Sequence, residues 1–231
     1  MWEPNLGALP DGWHGIAPDL RGFGQSSFPP GDKHRIIDFA GDMIDLLDRL
    51  EIGEAVVVGC SMGGYTLFEM IHTAHNYVAG AVMVSTKATP DNDEAKNNRR
   101  AMIERLERGG VGAIANEMLP KLLGPTTLRE RPDLEKHLRN MINSNKPETV
   151  KMAITALMER ADSTPLLHHM RMPSLVIAGA EDTLIPPSQA DELHAAIPNA
   201  ACHKMAMAGH LPNLEQTTTF DALLTQFLQK L

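Results

Sequence analysis

The sequence predicts an α/β fold, a mostly parallel sheet flanked by helices with a helical insertion. Three observations predict it. The apolar runs Ala55–Gly59, Val78–Val84 and Ser174–Gly179 lack a strict period of two, as strands buried on both faces do. Helical patterns fill the gaps between them. One long stretch, Lys87 to Pro165, carries no strand-like run.

Taken in order, Gly15–Asp19 is a weak strand candidate, and Ile36–Leu50 reads as a helix with Ile37, Ala40, Ile44, Leu47 and Leu50 at helical spacing. The strand at Ala55–Gly59 leads into a helix over Gly63–Ala74, and Val78–Val84 follows as the next strand. Asn97–Gly109, Val111–Leu123, Asp133–Asn143 and Pro147–Asp162 then read as helices, punctuated by Gly109-Gly110 and Gly124-Pro125. The alternation resumes with Ser174–Gly179, a helix at Ser188–Ile197, a weaker strand at Ala201–Met205 and a closing helix at Thr219–Leu231. Because it resumes, the expected organisation is one core in two parts, residues 1–86 and 166–231. Residues 87–165 are expected to form a cap over the C-terminal edge of the sheet, with right-handed crossovers joining the strands. A separate helical linker domain is the competing reading of that insertion.

Bulk properties exclude several classes. A chain of 231 residues, 43% hydrophobic and 22% charged, suffices for one ordinary domain with a real core. Its formal net charge of −8, with no basic cluster, argues against nucleic acid as a partner. No apolar run reaches the ~18–20 residues that span a bilayer, so no membrane partner is expected. Met1 to Pro10 lack the charged and apolar regions of a signal peptide. Cys60 and Cys202 are the only cysteines, too few for a disulfide framework. Together these predict a cytoplasmic protein.

The chemistry concentrates at Gly59-Cys60-Ser61-Met62-Gly63, a G-x-S-x-G pattern with a strand before it and a helix after it. A serine there sits on a strained turn, and glycines two before and two after it avoid collision with the strand and helix. The turn lifts the hydroxyl above the sheet. It also leaves the next N–H, that of Met62, at a helix N-terminus, where it can stabilise an oxyanion. Cys60 is expected to pack inward as a small hydrophobe. The fourteen methionines are scattered and read as adaptable packing.

A hydroxyl at neutral pH needs a base. Of ten histidines, His210 lies in the small-residue loop Ala208-Gly209-His210-Leu211-Pro212 between the last expected strand and the final helix. Such loops gather at the end of a parallel sheet where Ser61 also sits. A third, orienting group should be a carboxylate at another strand end, and Glu181 and Asp182 both follow Ser174–Gly179. Such a carboxylate accepts the Nδ1 proton and stabilises the imidazolium.

These residues resemble the α/β-hydrolase family, in particular its esterase and lactonase branch that includes 3-oxoadipate enol-lactonases. The resemblance rests on Ile16–Ser26 (IAPDLRGFGQS), on Gly59–Gly64, on Gly179–Asp182 with Pro186-Pro187, and on Gly209–Glu215 (GHLPNLE). It favours Asp182 over Glu181 as the acid and gives the chain order Ser61, Asp182, His210. It implies hydrolysis of a small carboxylic ester or lactone through an acyl-enzyme, with no metal or organic cofactor. The resemblance departs at the front. Family members carry about three strands before the Asp19 motif, and the third ends in a His-Gly loop that supplies a second oxyanion donor. His14-Gly15 does not replace it, because no strand precedes it. Three outcomes are expected at the resulting gap: the flanking strands close up, another chain inserts a strand, or the missing strands lie upstream of Met1. The second function carried forward is a hydrolase-like ligand-binding protein with lost turnover. A third is an incomplete fragment that forms a homo-oligomer through exposed strand edges.

Overall fold

The computed structural model describes residues 1–28, 31 and 34–231. Four parallel strands form one sheet in the order β1 (Ala55–Cys60), β2 (Val78–Val84), β3 (Ser174–Gly179) and β4 (Ala200–Met205). Spatial order equals chain order, so each strand pairs with the next through a helical crossover. The side chains alternate between two separate apolar clusters. Ala81, Met83, Val176 and Ala178 enter one, while Val82, Val84, Leu175 and Ile177 enter the other. Both faces are covered, which is why these strands read as continuous apolar runs.

The helices follow in chain order: α1 (Glu3–Leu6), α2 (Ile36–Arg49), α3 (Met62–Ala74), α4 (Asp93–Leu122), α5 (Pro125–Glu130) and α6 (Pro132–Asn143). After them come α7 (Pro147–Met158), α8 (Thr164–Leu167), α9 (Ser188–Ala196), α10 (Pro212–Glu215) and α11 (Thr217–Leu228). Helices α2, α3 and α9 cover the first face, and α11 covers the second with residues of α4 and α6. The buried stripe of α2 is Ile36, Phe39, Ala40 and Leu47, whereas Ile37 and Leu50 are exposed. Ala40, Ile44 and Leu47 of the expected stripe face the core, while Ile36 and Phe39 take the place of its outer members. Among the described residues, no helix is long and apolar enough to cross a membrane.

The strand-free stretch is helical, as expected. Its first two expected helices are joined into α4, interrupted only at Gly110, whose φ of 66° breaks the helical path. The bidentate Arg105–Glu117 pair, at 2.6 and 2.9 Å, ties the two halves together across that break.

The sequence expectation fails at Gly15–Asp19, which forms no strand. A strand exists only where a neighbour accepts its backbone bonds, and among the described residues β1 pairs with β2 alone. The flanking segments have not closed up. Residues 14–20 run without regular structure, with Ile16 41% exposed. The first residues dock elsewhere, on the helices after β4. Asn5 Nδ2 donates to Asp221 Oδ1 at 2.7 Å and to the Asn213 carbonyl at 3.3 Å, and Trp2 packs against Phe220.

Candidate active site

The end of β1 turns into α3 through Ser61, whose φ of 52° and ψ of −110° lie where L-residues are strained. The turn is held from β2: the Ser61 N–H donates to Val84 O at 2.9 Å, and Thr86 Oγ1 donates to Ser61 O at 3.0 Å. A Cβ at Gly59 would overlap the Gly63 carbonyl, so glycine is obligatory there. Gly63 itself faces open space. The tight downstream position is Gly64, whose Cβ would sit 2.5 Å from Thr86 Oγ1. The sequence pattern thus named the right turn and the wrong second glycine.

At the first position of α3 the Met62 N–H has no acceptor among the described residues. An N–H in the first turn of a helix has no intrahelical partner. Cys60 packs into the second apolar cluster. Burial pushes its thiol up to about 12, helped by the charges of Asp182 and Glu215, so it stays a neutral thiol beside the serine.

Asp182 and His210 are joined across the rim. His210 Nδ1 lies 2.8 Å from Asp182 Oδ2, and both side chains are essentially sealed from solvent. Asp182 Oδ1 accepts the N–H groups of Leu184 and Ile185 at 2.8 and 2.9 Å, which fixes the carboxylate plane. A carboxylate only accepts, so Nδ1 carries the proton of this hydrogen bond and Nε2 is the ring nitrogen left without a partner among the described residues. Glu181 faces away from the histidine and accepts the Thr126 N–H at 2.9 Å and the Thr126 hydroxyl at 2.6 Å. Geometry therefore pairs the histidine with Asp182.

His210 reaches the serine side through its own backbone, since the Cys60 thiol donates to its carbonyl at 3.8 Å. No hydrogen bond joins Ser61 Oγ to the ring. Catalytic hydrogen bonds are commonly long or misaligned until substrate is seated. Among the described residues, no group of His, Cys, Asp and Glu could hold a metal ion.

Sequence reasoning missed Glu215 as a site residue. It is buried at the end of α10, just past the histidine, and it accepts three backbone N–H groups. Its sequence signals were its place at the end of the Gly209–Glu215 motif and its being the one charged residue between His210 and Asp221.

Known proteins share this architecture. A family model described as the alpha/beta hydrolase fold matches residues 1–217. The chain is 30% identical over 222 residues to 3-oxoadipate enol-lactonase 2 of Acinetobacter baylyi, covering 96% of this chain and 80% of that protein. Among solved structures it resembles a thermophilic esterase from Thermogutta terrifontis, with 37% identity and a TM-score of 0.94. That match covers 99% of this chain and 84% of the esterase. It also resembles the enol-lactonase from Burkholderia xenovorans LB400, with 27% identity, a TM-score of 0.90 and coverage of 99% and 85%. With its parallel sheet, its strained serine turn and a family match over nearly its whole length, this chain belongs to the α/β-hydrolase fold family.

Proposed function

We propose that the protein is a serine hydrolase that cleaves a small carboxylic ester or lactone. Ser61 is the nucleophile, His210 the general base and Asp182 the residue that orients and stabilises the imidazolium. The Met62 N–H is an oxyanion donor. In the first half-reaction the Ser61 oxygen bonds to the carbonyl carbon as its proton passes to His210 Nε2. The alcohol, or the alcohol end of a lactone, then leaves with that proton. Water activated by the same nitrogen releases the acid and restores the serine. Residues 87–165, which hold helices α4 to α7, act as a cap over the rim.

The observation that carries this reading is the buried Asp182–His210 pair at 2.8 Å, seated at the same sheet rim as a serine in a strained turn. The similarity to an esterase and to enol-lactonases supports the substrate class. The test is covalent labelling by a fluorophosphonate. One label per chain is expected for the wild type and none for Ser61→Ala. A folded wild-type protein that stays unlabelled at millimolar reagent overturns the reading. A second reading, a hydrolase-like binding protein, draws on the absence of a hydrogen bond between Ser61 Oγ and the ring. Tight binding without turnover across a panel of esters and lactones would favour it.

A further inference from the structure

A buried carboxylate with no cationic partner needs a reason, and Glu215 is such a group. It is 4% exposed, and no ion pair among the described residues includes it. Its oxygens are filled by backbone instead. Oε1 accepts the N–H groups of Gly209 and Leu211 at 2.9 and 3.0 Å, the residues on either side of His210. Oε2 accepts the N–H of Gly124 at 2.7 Å, from the link between α4 and α5. The N–H of His210 itself donates to Leu122 O at 3.1 Å, two residues earlier in that link. The acid loop grips the same stretch, through Glu181 and Thr126.

The glycines show how closely these pieces meet. A Cβ at Gly124 would lie 2.5 Å from Glu181 Oε2 and 2.9 Å from the Gly209 nitrogen. A Cβ at Gly179, at the end of β3, would overlap the carbonyls of Ala208 and Gly209. The acid strand, the histidine loop and the cap link therefore stack backbone on backbone, and two glutamates hold the stack from inside.

We propose that Glu215 is a positioning residue for His210, and that it does so jointly with the cap link Leu122–Thr126. The imidazole has no rigid secondary structure of its own, since it stands in a loop between β4 and α10. Glu215 clamps that loop on both sides of the histidine and ties it to the insertion. Anything that lifts the link off the rim also moves the base. The proposal rests on the reading of His210 as general base for its kinetic consequence, but not for its structural one.

The experiment uses Glu215→Gln, which keeps the volume but turns donors toward N–H groups that need acceptors, and Gly124→Ala, whose methyl presses from the cap link on Glu181 and the Gly209 nitrogen. Glu215→Asp keeps the charge but is one methylene too short to reach both Gly124 and the histidine loop. Two readouts are taken on folded protein. The first is steady-state hydrolysis of p-nitrophenyl acetate. A shift of the base by about 1 Å is worth roughly 10²-fold, so kcat should fall by about that factor with KM within threefold for Glu215→Gln, and less for Glu215→Asp. The second is the low-field proton resonance of His210 Nδ1–H, assigned by its loss in Asp182→Asn. It should shift or broaden in Glu215→Gln and Gly124→Ala. Wild-type kcat together with an unmoved ring signal in whichever of these two variants folds overturns the proposal. So does a fall in thermal stability alone. If the wild type proves inactive, the function assigned above fails, while the ring resonance still tests Glu215.

Discussion

Ser61 stores strain where chemistry would use it. A non-glycine residue at positive φ costs about 1–3 kcal/mol and persists only where its surroundings over-determine it. Here the surroundings are the Val84 carbonyl and the Thr86 hydroxyl, both supplied by the end of β2 and the residues after it. Asp182 is held as firmly, with one oxygen on two backbone N–H groups and the other on the ring. Asp182→Asn should leave the fold intact while offering Nδ1 an amide instead of a carboxylate, which favours the wrong tautomer. A fall of roughly 10⁴-fold in kcat is expected, as for the corresponding change in a serine protease. Steady-state kinetics with circular dichroism on the same samples checks it, and a loss under tenfold contradicts the assigned role.

At the scale of elements, the turn between β1 and α3 makes a prediction that separates its glycines. Gly59→Ala puts a methyl into the Gly63 carbonyl, and the backbone on both sides is pinned. Overpacking of this kind costs about 1–3 kcal/mol, and the elbow would open to relieve it. Gly63→Ala meets nothing and replaces a poor helix former inside α3, a gain of up to about 1 kcal/mol. Thermal denaturation of the two variants should move in opposite directions. Equal shifts would mean that the turn is looser than its contacts indicate. The sequence located this turn because strand, glycine and helix signals coincide within a few residues. It mis-assigned Gly63 because the collision partner of the second glycine is Thr86, which is brought alongside only by pairing of β1 with β2.

Across the whole molecule, a buried ion pair ties the two ends of the insertion to each other and rests on α3 of the core. Arg160, just beyond α7, bonds Asp91 Oδ1 at 2.8 Å and the Thr89 carbonyl at 2.9 Å, and its guanidinium lies 4.3 Å from the Tyr65 ring centroid in α3. Arg99 reaches the other Asp91 oxygen at 3.1 Å. Burial alone would push the Asp91 carboxyl up, but the two guanidiniums outweigh it and hold it below its ordinary value. A depressed carboxylate contributes stability that is fully present above its unfolded value, about 3.9, and is lost as pH falls through the lower folded value. Acid denaturation should therefore set in below about pH 4. Arg160→Met leaves the buried Asp91 carboxylate half-stranded, held by Arg99 alone, a cost of up to about 3–5 kcal/mol near neutral pH. The deficit should shrink as the solution is acidified and Asp91 takes up its proton. Urea titrations at pH 7 and pH 4 measure both, and a deficit independent of pH would show that Asp91 is not the stranded group.

What the sequence by itself determined is local or periodic. The strands β1, β2 and β3 declared themselves as apolar runs because both of their faces are covered, and Ser61 and His210 declared themselves through turn chemistry next to such runs. The residues alone left Glu181 and Asp182 open and the family resemblance favoured Asp182; the tertiary structure aims Asp182 at the histidine and Glu181 at Thr126. It also decided the fate of Gly15–Asp19 and the role of Glu215. A strand depends on a neighbour that the run itself does not encode. The Glu215 carboxylate depends on N–H groups of residues 209 and 211 nearby and of residue 124, which is 91 residues away and close only once the chain has folded.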